Sequence, residues 1–202
     1  MPRAAVINYG VGNLRSLQRG LEKSGAEVLI TYSPSDLAKS DAIVLPGVGA
    51  FAEAIKNLSP LSDALLQSVR DGKPLLGICL GLQLLFTRSY EGGLKNGLNL
   101  IQGEIVKLPD TVKTPHIGWN TIQIAKPNPL VENVQNNSFM YFVHTYFPKP
   151  SEQRGVIAYT EYGVKFPSII AKKNLFATQF HPEKSSKPGL AILKNFVKIV
   201  KR

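Results

Sequence analysis

An α/β fold, with a central and mostly parallel sheet and a mixed or antiparallel C-terminal part, is predicted by three features of the sequence. In the first half, short apolar runs alternate with segments of helical periodicity. In the second half, strand-like runs follow one another across short turns. The chain has 202 residues and 44% hydrophobic content, enough to bury the core of such a sheet. Short apolar strands alternating with helices imply a sheet covered on both faces. Right-handed crossovers then gather the strand ends and their loops along one edge.

Residues 4–8 form the first apolar strand, and Gly10-Val11-Gly12-Asn13 makes a turn. Leu14, Leu17 and Leu21 recur at helical spacing, and Gly25 ends that helix. Residues 27–31 and 41–45 are the next strands, the second stopped by Pro46-Gly47-Val48-Gly49. Helical segments follow over 51–57 and 61–70, then a strand over 75–78. Later strands are expected over 103–108, 121–124, 139–143, 156–159, 168–172 and 176–180, and a closing helix over 188–200. Pro127-Asn128-Pro129 and Pro148-Lys149-Pro150 read as loops, so the expectation is a single domain over 1–202.

Net charge is +10, but Lys and Arg are scattered. The one dense cluster, Lys194, Lys198, Lys201 and Arg202, falls at helical spacing beside Ile192, Phe196, Ile199 and Val200. That pattern is a solvated helix face and carries no nucleic-acid recognition motif. A single cysteine excludes an intrachain disulfide framework and fits a reducing compartment. There is no signal-peptide h-region and no apolar run of membrane-spanning length. A soluble cytoplasmic protein, with neither nucleic acid nor membrane as partner, is expected.

The one cysteine, Cys79, lies in Gly77-Ile78-Cys79-Leu80-Gly81, between an apolar run and the helix-like Leu82-Gln83-Leu84-Leu85-Phe86. This has the form of a nucleophile elbow, in which a strand ends, the chain turns sharply and a helix begins. Glycine on both sides relieves the crowding of so tight a turn. The helix start favours a thiolate, and the Leu80 N–H is placed to stabilise an oxyanion. A lone cysteine is usually a buried structural one, and the flanking glycines argue against that here.

A thiolate nucleophile needs a base, and the base an orienting acceptor. Of the three histidines, only His181 has a carboxylate beside it, in His181-Pro182-Glu183. Proline holds His181 extended. Glu183 at i+2 then projects to the same side, able to fix the imidazole tautomer. His144, ending an apolar run, suits a hydrogen-bonded structural or binding role, and His116 has no carboxylate nearby in sequence. No Cys/His pair has zinc spacing, so no metal or cofactor is expected. Pro46-Gly47-Val48-Gly49 could supply the second oxyanion donor, or be only a strand-to-helix turn. Gly10-Val11-Gly12 is half a dinucleotide fingerprint, which is weak evidence.

Taken together, Pro46-Gly47-Val48-Gly49, Gly77-Ile78-Cys79-Leu80-Gly81-Leu82-Gln83 and His181-Pro182-Glu183 resemble the class I glutamine amidotransferases. Asn8-Tyr9-Gly10-Val11-Gly12-Asn13-Leu14, Pro115-His116-Ile117-Gly118-Trp119-Asn120, Tyr141-Phe142-Val143-His144-Thr145-Tyr146 and His181-Pro182-Glu183-Lys184-Ser185 are similar to the glutaminase subunits of imidazole glycerol phosphate synthases, nearly end to end. The resemblance implies a flavodoxin-like three-layer fold and hydrolysis of L-glutamine through a Cys79–His181–Glu183 triad. It implies oxyanion donors at Val48, Gly49 and Leu80. It implies glutamine contacts at Gly49, Gln83, Glu91, His144, Thr145 and Tyr146, with threonine at 145 where the family more often has serine. It also implies a heterodimer with a (β/α)8 cyclase subunit, facing Asn13, Trp119 and Lys184. Ammonia loses its nucleophilicity once protonated in water, so the acceptor site must be close. A (β/α)8 synthase takes about 250 residues, so that site is expected on another chain. The nearest alternative is a glutaminase subunit of another amidotransferase, such as anthranilate synthase.

Overall fold

Alternation of side chains along the strands decides how the layers form. The computed structural model describes residues 1–10 and 14–201. The first half runs β1 (Arg3–Ile7), α1 (Leu14–Lys23), β2 (Glu27–Thr31), α2 (Pro34–Lys39), β3 (Ala42–Leu45), α3 (Phe51–Leu58), α4 (Ser62–Arg70), β4 (Leu75–Ile78) and α5 (Leu80–Leu84). The second half runs β5 (Phe86–Ser89), β6 (Lys95–Asn96), β7 (Ile101–Lys107), β8 (His116–Thr121), β9 (Gln123–Ile124), β10 (Phe139–His144), β11 (Tyr146–Pro150), β12 (Val156–Glu161), β13 (Lys165–Lys172), β14 (Leu175–Thr178) and α6 (Ser186–Val200). The main sheet has the order β2-β1-β3-β4-β14-β13-β12-β9. Pairings from β2 through β14 are parallel, and those from β14 to β9 antiparallel. Ala4, Val6, Val44 and Ile78 pack with Leu17, Leu21, Ile192 and Phe196 of α1 and α6. Their sequence neighbours Ala5, Ile7, Ile43 and Leu45 pack with Phe51, Leu58 and Leu65 of α3 and α4. A period of two thus covers both faces and makes three layers.

The expected parallel core is present, with β2 and β4 at the predicted residues. The second half departs from expectation in several places. Strands β5, β6, β8 and β11 and helix α2 were not foreseen. The α2 signal is Pro34 at its first turn. The later strands are split between the antiparallel part of the main sheet, a β10-β8 pair and a β11-β7-β5-β6 sheet. Pro148-Lys149-Pro150 is not a loop but the end of β11. That strand is an edge, where missing N–H donors are tolerated. The helix after Cys79 stops at Leu84, and Phe86 begins β5. Expected strand 176–180 ends at Thr178, because His181 N–H turns away to the Tyr141 carbonyl of β10, 2.9 Å off. Phe142, Phe166 and Phe180 meet edge-to-face, with centroids 6.1 and 5.7 Å from Phe142, and join β10 to the main sheet. Among the described residues, no helix is long and apolar enough to cross a membrane.

Helix α5 lies so close to β3 that a Cβ on Gly81 would stand 2.0 Å from the Leu45 carbonyl oxygen. The conflict is with the neighbouring strand rather than with the turn itself. Gly81→Ala should therefore cost at least about 2 kcal/mol, an overpacking penalty. Gly155→Ala, with nothing nearer than 3.4 Å, should cost far less. Urea midpoints of the two variants test this, and equal midpoints would refute the close approach.

Candidate active site

Parallel pairing of β4 with β14 sets Ile78 opposite Thr178. The Cys79 N–H extends that ladder, donating to the Thr178 carbonyl at 2.8 Å. Both strands end at one sheet edge, so Cys79 and His181 emerge side by side. The Cys79 backbone has φ +51° and ψ −104°. Holding a side-chain-bearing residue there costs about 1–3 kcal/mol, which the surrounding structure must overcome. Gly77 is required by the turn, since its Cβ would lie 2.7 Å from the Gly81 carbonyl oxygen. The elbow expected from the sequence is therefore present. Helix α5 has only five residues, so it offers free N–H groups more than a macrodipole.

His181 begins the turn that holds Glu183. Its backbone is extended, with φ −95° and ψ 98°, as the following proline suggests. Glu183, however, does not reach it along an extended chain. Pro182–Lys184 is a 3-10 turn that folds the carboxylate back, and Oε1 lies 2.8 Å from His181 Nδ1. Ser185 clamps the turn: its hydroxyl donates to the His181 carbonyl at 2.6 Å and accepts the Tyr141 N–H at 2.9 Å. The His181 and Glu183 side chains are almost wholly buried, at 3% and 5% exposure. His181 Nε2 is buried without a partner at full hydrogen-bond geometry. Burial works against a charged imidazole here. The Cys79 sulfur, as charge and as acceptor, and then the Glu183 carboxylate outweigh it, and the pKa is pushed up to about 10. A protonated His181 beside the sulfur is therefore the form this arrangement favours.

A recess of about 230 Å³ opens on the sulfur, lined by Val48, Gly49, Cys79, Leu80, Gln83, Glu91, Pro115, Val143, His144, Thr145 and Tyr146. This is below the roughly 300–1,000 Å³ of drug-sized sites and suits a single amino acid. All the residues expected to contact glutamine or an oxyanion are brought together in it. His181 and Glu183 are not among its lining residues. The Leu80 N–H is engaged with the Gly47 carbonyl at 3.4 Å, a long bond. Gly49, at φ +136°, uses a conformation open to glycine. Burial raises the pKa of Glu91, opposed by the Phe51 N–H. Gln83 donates to the Tyr146 carbonyl at 2.9 Å.

Trp119 and Lys184 meet on another part of the surface, through Tyr141. Trp119 packs edge-on to Tyr141 with centroids 6.0 Å apart, and Lys184 Nζ lies 5.7 Å over the same ring. Asn13 lies outside the described residues. Sequence reasoning missed Gln179, which is fully buried and donates from Nε2 to Cys79 Sγ at 3.7 Å. Its signal was available: it stands two residues before His181. Also missed were Ile117 and Phe139, exposed on the strands that carry Trp119 and Tyr141. Among the described residues, no group of three or more His, Cys, Asp or Glu is placed to hold a metal ion.

His116 and His144 are buried and held neutral. Burial lowers their pKa values to about 4 and about 3, the second also through His116. An unfolded chain protonates both rings near pH 6.5 or so. Protons bound only by the unfolded state favour unfolding, so stability should fall as pH drops from about 7 toward 4. The thermal midpoint should be lower at about pH 5 than at about pH 7, with a smaller difference in His116→Phe. A midpoint that rises on acidification would contradict the neutral pair.

The glutamine amidotransferase class-I family model matches residues 5–200. Imidazole glycerol phosphate synthase subunit HisH of Methanocaldococcus jannaschii is 48% identical over 195 residues, covering 96% of this chain and 98% of that protein. HisH of Natronomonas pharaonis is 47% identical over 199 residues, covering 95% and 92%. HisH of Caldanaerobacter subterraneus is 44% identical over 198 residues, covering 97% and 98%. Among solved structures, PurLQS from Thermotoga maritima superposes with a TM-score of 0.77 at 18% identity, covering 98% of each chain, and so shares the fold. A cysteine elbow on this α/β scaffold, together with these matches, means that the chain belongs to the class I glutamine amidotransferases, within the group of HisH glutaminase subunits of imidazole glycerol phosphate synthase.

Proposed function

We propose that Cys79, His181 and Glu183 carry out the glutamine hydrolysis that family membership assigns to this enzyme. The observation that carries this reading is the His181–Glu183 contact of 2.8 Å, set beside a sulfur that opens on an amino-acid-sized recess. The Cys79 thiolate adds to the side-chain amide carbon of L-glutamine, giving a tetrahedral oxyanion. The His181 imidazolium gives its Nε2 proton to the departing nitrogen, and ammonia leaves. A γ-glutamyl thioester remains on Cys79. Neutral His181 then takes a proton from water as the oxygen adds to the thioester carbonyl. Collapse expels the thiolate and releases L-glutamate, restoring the ion pair. Glu183 holds the Nδ1–H tautomer and supports the positive ring.

The oxyanion donors are the N–H groups of Leu80 and of the Val48–Gly49 turn. Leu80 N–H must give up the Gly47 carbonyl to serve, and the length of that bond, 3.4 Å, supports an easy exchange. Gln83, Glu91 and the His144-Thr145-Tyr146 segment contact the substrate. Threonine at 145 retains the hydroxyl that serine would supply. The anthranilate-synthase alternative is not favoured, since the relatives at 44–48% identity are imidazole glycerol phosphate synthase subunits.

The partner is a (β/α)8 cyclase subunit that receives the ammonia in the cytoplasm, in a heterodimer that makes imidazole glycerol phosphate for histidine biosynthesis. Strands β8 and β10 pair with Trp119 opposite Tyr141 and Ile117 opposite Val143. Ile117, Trp119 and Phe139 are 60%, 53% and 59% exposed on this sheet, an apolar face fitted to docking. The reading treats 1–202 as one amidotransferase domain, with Asn13 and Lys184 at the same interface.

Copurification with a candidate cyclase subunit, followed by glutamine- and ammonia-dependent product assays, tests the whole reading. Cys79→Ala should abolish glutamine-dependent synthesis and leave ammonia-dependent synthesis by the complex intact. Normal glutamine use by that variant would remove Cys79 from the mechanism. Glu183→Gln should lose less activity than His181→Ala, because packing and the Ser185 clamp still orient the ring. Trp119→Ala should weaken cyclase binding by about tenfold or more, as for an interface anchor. Unchanged affinity by calorimetry would place the interface elsewhere.

A further inference from the structure

A buried chain of hydrogen bonds runs from β8 to the nucleophile, and its central ring has no role in the mechanism above. Asn120 follows the exposed Trp119 on β8. Its amide orientation is set by two backbone groups: Oδ1 accepts the Thr121 N–H at 2.8 Å, and Nδ2 donates to the Glu161 carbonyl at 3.0 Å. Nδ2 also lies 3.3 Å from His116 Nε2. A donor there makes Nε2 an acceptor, so the His116 proton is on Nδ1. That Nδ1 lies 3.1 Å from His144 Nε2. At the other end, His144 Nδ1 lies 3.0 Å from the Tyr146 carbonyl, which can only accept. The His144 proton is therefore also on Nδ1, and its Nε2 accepts from His116. The two ends require the same tautomers independently.

The chain continues inward. Gln83 Nε2 donates to the same Tyr146 carbonyl at 2.9 Å and reaches Gln179 Oε1 at 3.4 Å. Gln179 Nε2 in turn donates to Cys79 Sγ at 3.7 Å. His116 itself is 3% exposed, with its ring stacked against Tyr162 at 4.0 Å and Phe142 at 5.0 Å.

We infer that His116 is a positioning residue of the glutaminase site, holding His144 in one neutral tautomer and so fixing the Tyr146 wall of the glutamine recess. The role rests on the glutaminase reading. It joins β8, whose outer face carries Trp119, to the recess and the sulfur through named bonds. Such networks are effective only when fully satisfied, since each unpaired buried group is costly.

Two substitutions separate this role from simple core packing. His116→Phe keeps a stacked ring and removes the N–H donor. His116→Asn gives up the ring but places an amide N–H near the position of Nδ1. The measurements are nitrogen-15 histidine NMR on the full free chain and glutamine kinetics with the cyclase partner. The wild-type chain should show His116 and His144 both protonated on Nδ1. His116→Phe should disperse the His144 tautomer and lower kcat/KM for glutamine about tenfold, the effect of one buried hydrogen bond lost. His116→Asn should keep the tautomer and recover most of the rate. A wild-type His144 protonated on Nε2 would overturn the proposal. So would a His116→Phe variant with normal kinetics beside an impaired His116→Asn, which would mark the ring as packing alone. If the wild-type complex hydrolyses no glutamine, the functional reading fails, while the tautomers of the free chain still uphold or overturn the hydrogen-bonded chain by themselves.

Discussion

The parallel register of β4 with β14 is the constraint on which the rest of the site depends. Ile78 lies opposite Thr178, the Cys79 N–H makes one further bond, and both chains then leave the sheet at the same edge. One residue of slip would send alternate side chains to the other face of the sheet. The two strands are separated by about half the chain, so Cys79 and His181 come together only when the sheet is complete. This register also accounts for the order of the main sheet. Strand β14 takes the place beside β4, and the antiparallel strands β13, β12 and β9 build outward from it.

The elbow carries backbone strain at Cys79, and its neighbours are arranged to hold it. Gly77 leaves space for the Gly81 carbonyl, and Gly81 leaves space for β3. His181 is fixed from the other side. The His181 N–H is tied to β10, Ser185 bridges β10 and the turn, and α6 lies so near that a Cβ on Gly189 would be 2.1 Å from the Pro182 carbonyl oxygen. A nucleophile and base set on strand ends keep their geometry better than groups on free loops. Low exposure then lets Glu183 and the sulfur act on His181 with little screening.

Legibility followed the range of the interactions. The strand at 75–78, the sharp turn at Cys79 and the nearness of Glu183 to His181 depend on residues within a few positions of one another, and the sequence shows them. The reason given for Glu183 was wrong in detail, since a 3-10 turn and not extended alternation brings it back. The prolines at 148 and 150 were read as a loop because proline usually interrupts strands, and whether a strand is an edge depends on what pairs with it. Gln179 stands two residues before His181, but only its contact with the sulfur gives that spacing a meaning, and Tyr141, Ile117 and Phe139 gave no local sign of their roles. Each acquires one from a partner strand distant in sequence.

The sequence by itself determined the local chemistry: a cysteine in a strand-to-helix turn, a histidine with a carboxylate two residues on, and the apolar alternation that makes a two-faced sheet. These are properties of covalent spacing and backbone sterics, which act over a few residues. Only the tertiary structure decided that β14 lies beside β4, that Gln179 touches the sulfur, and that His116 Nδ1 faces His144 Nε2 at 3.1 Å. Those depend on which strands pair and in what register, and that is settled by burial summed over the whole core.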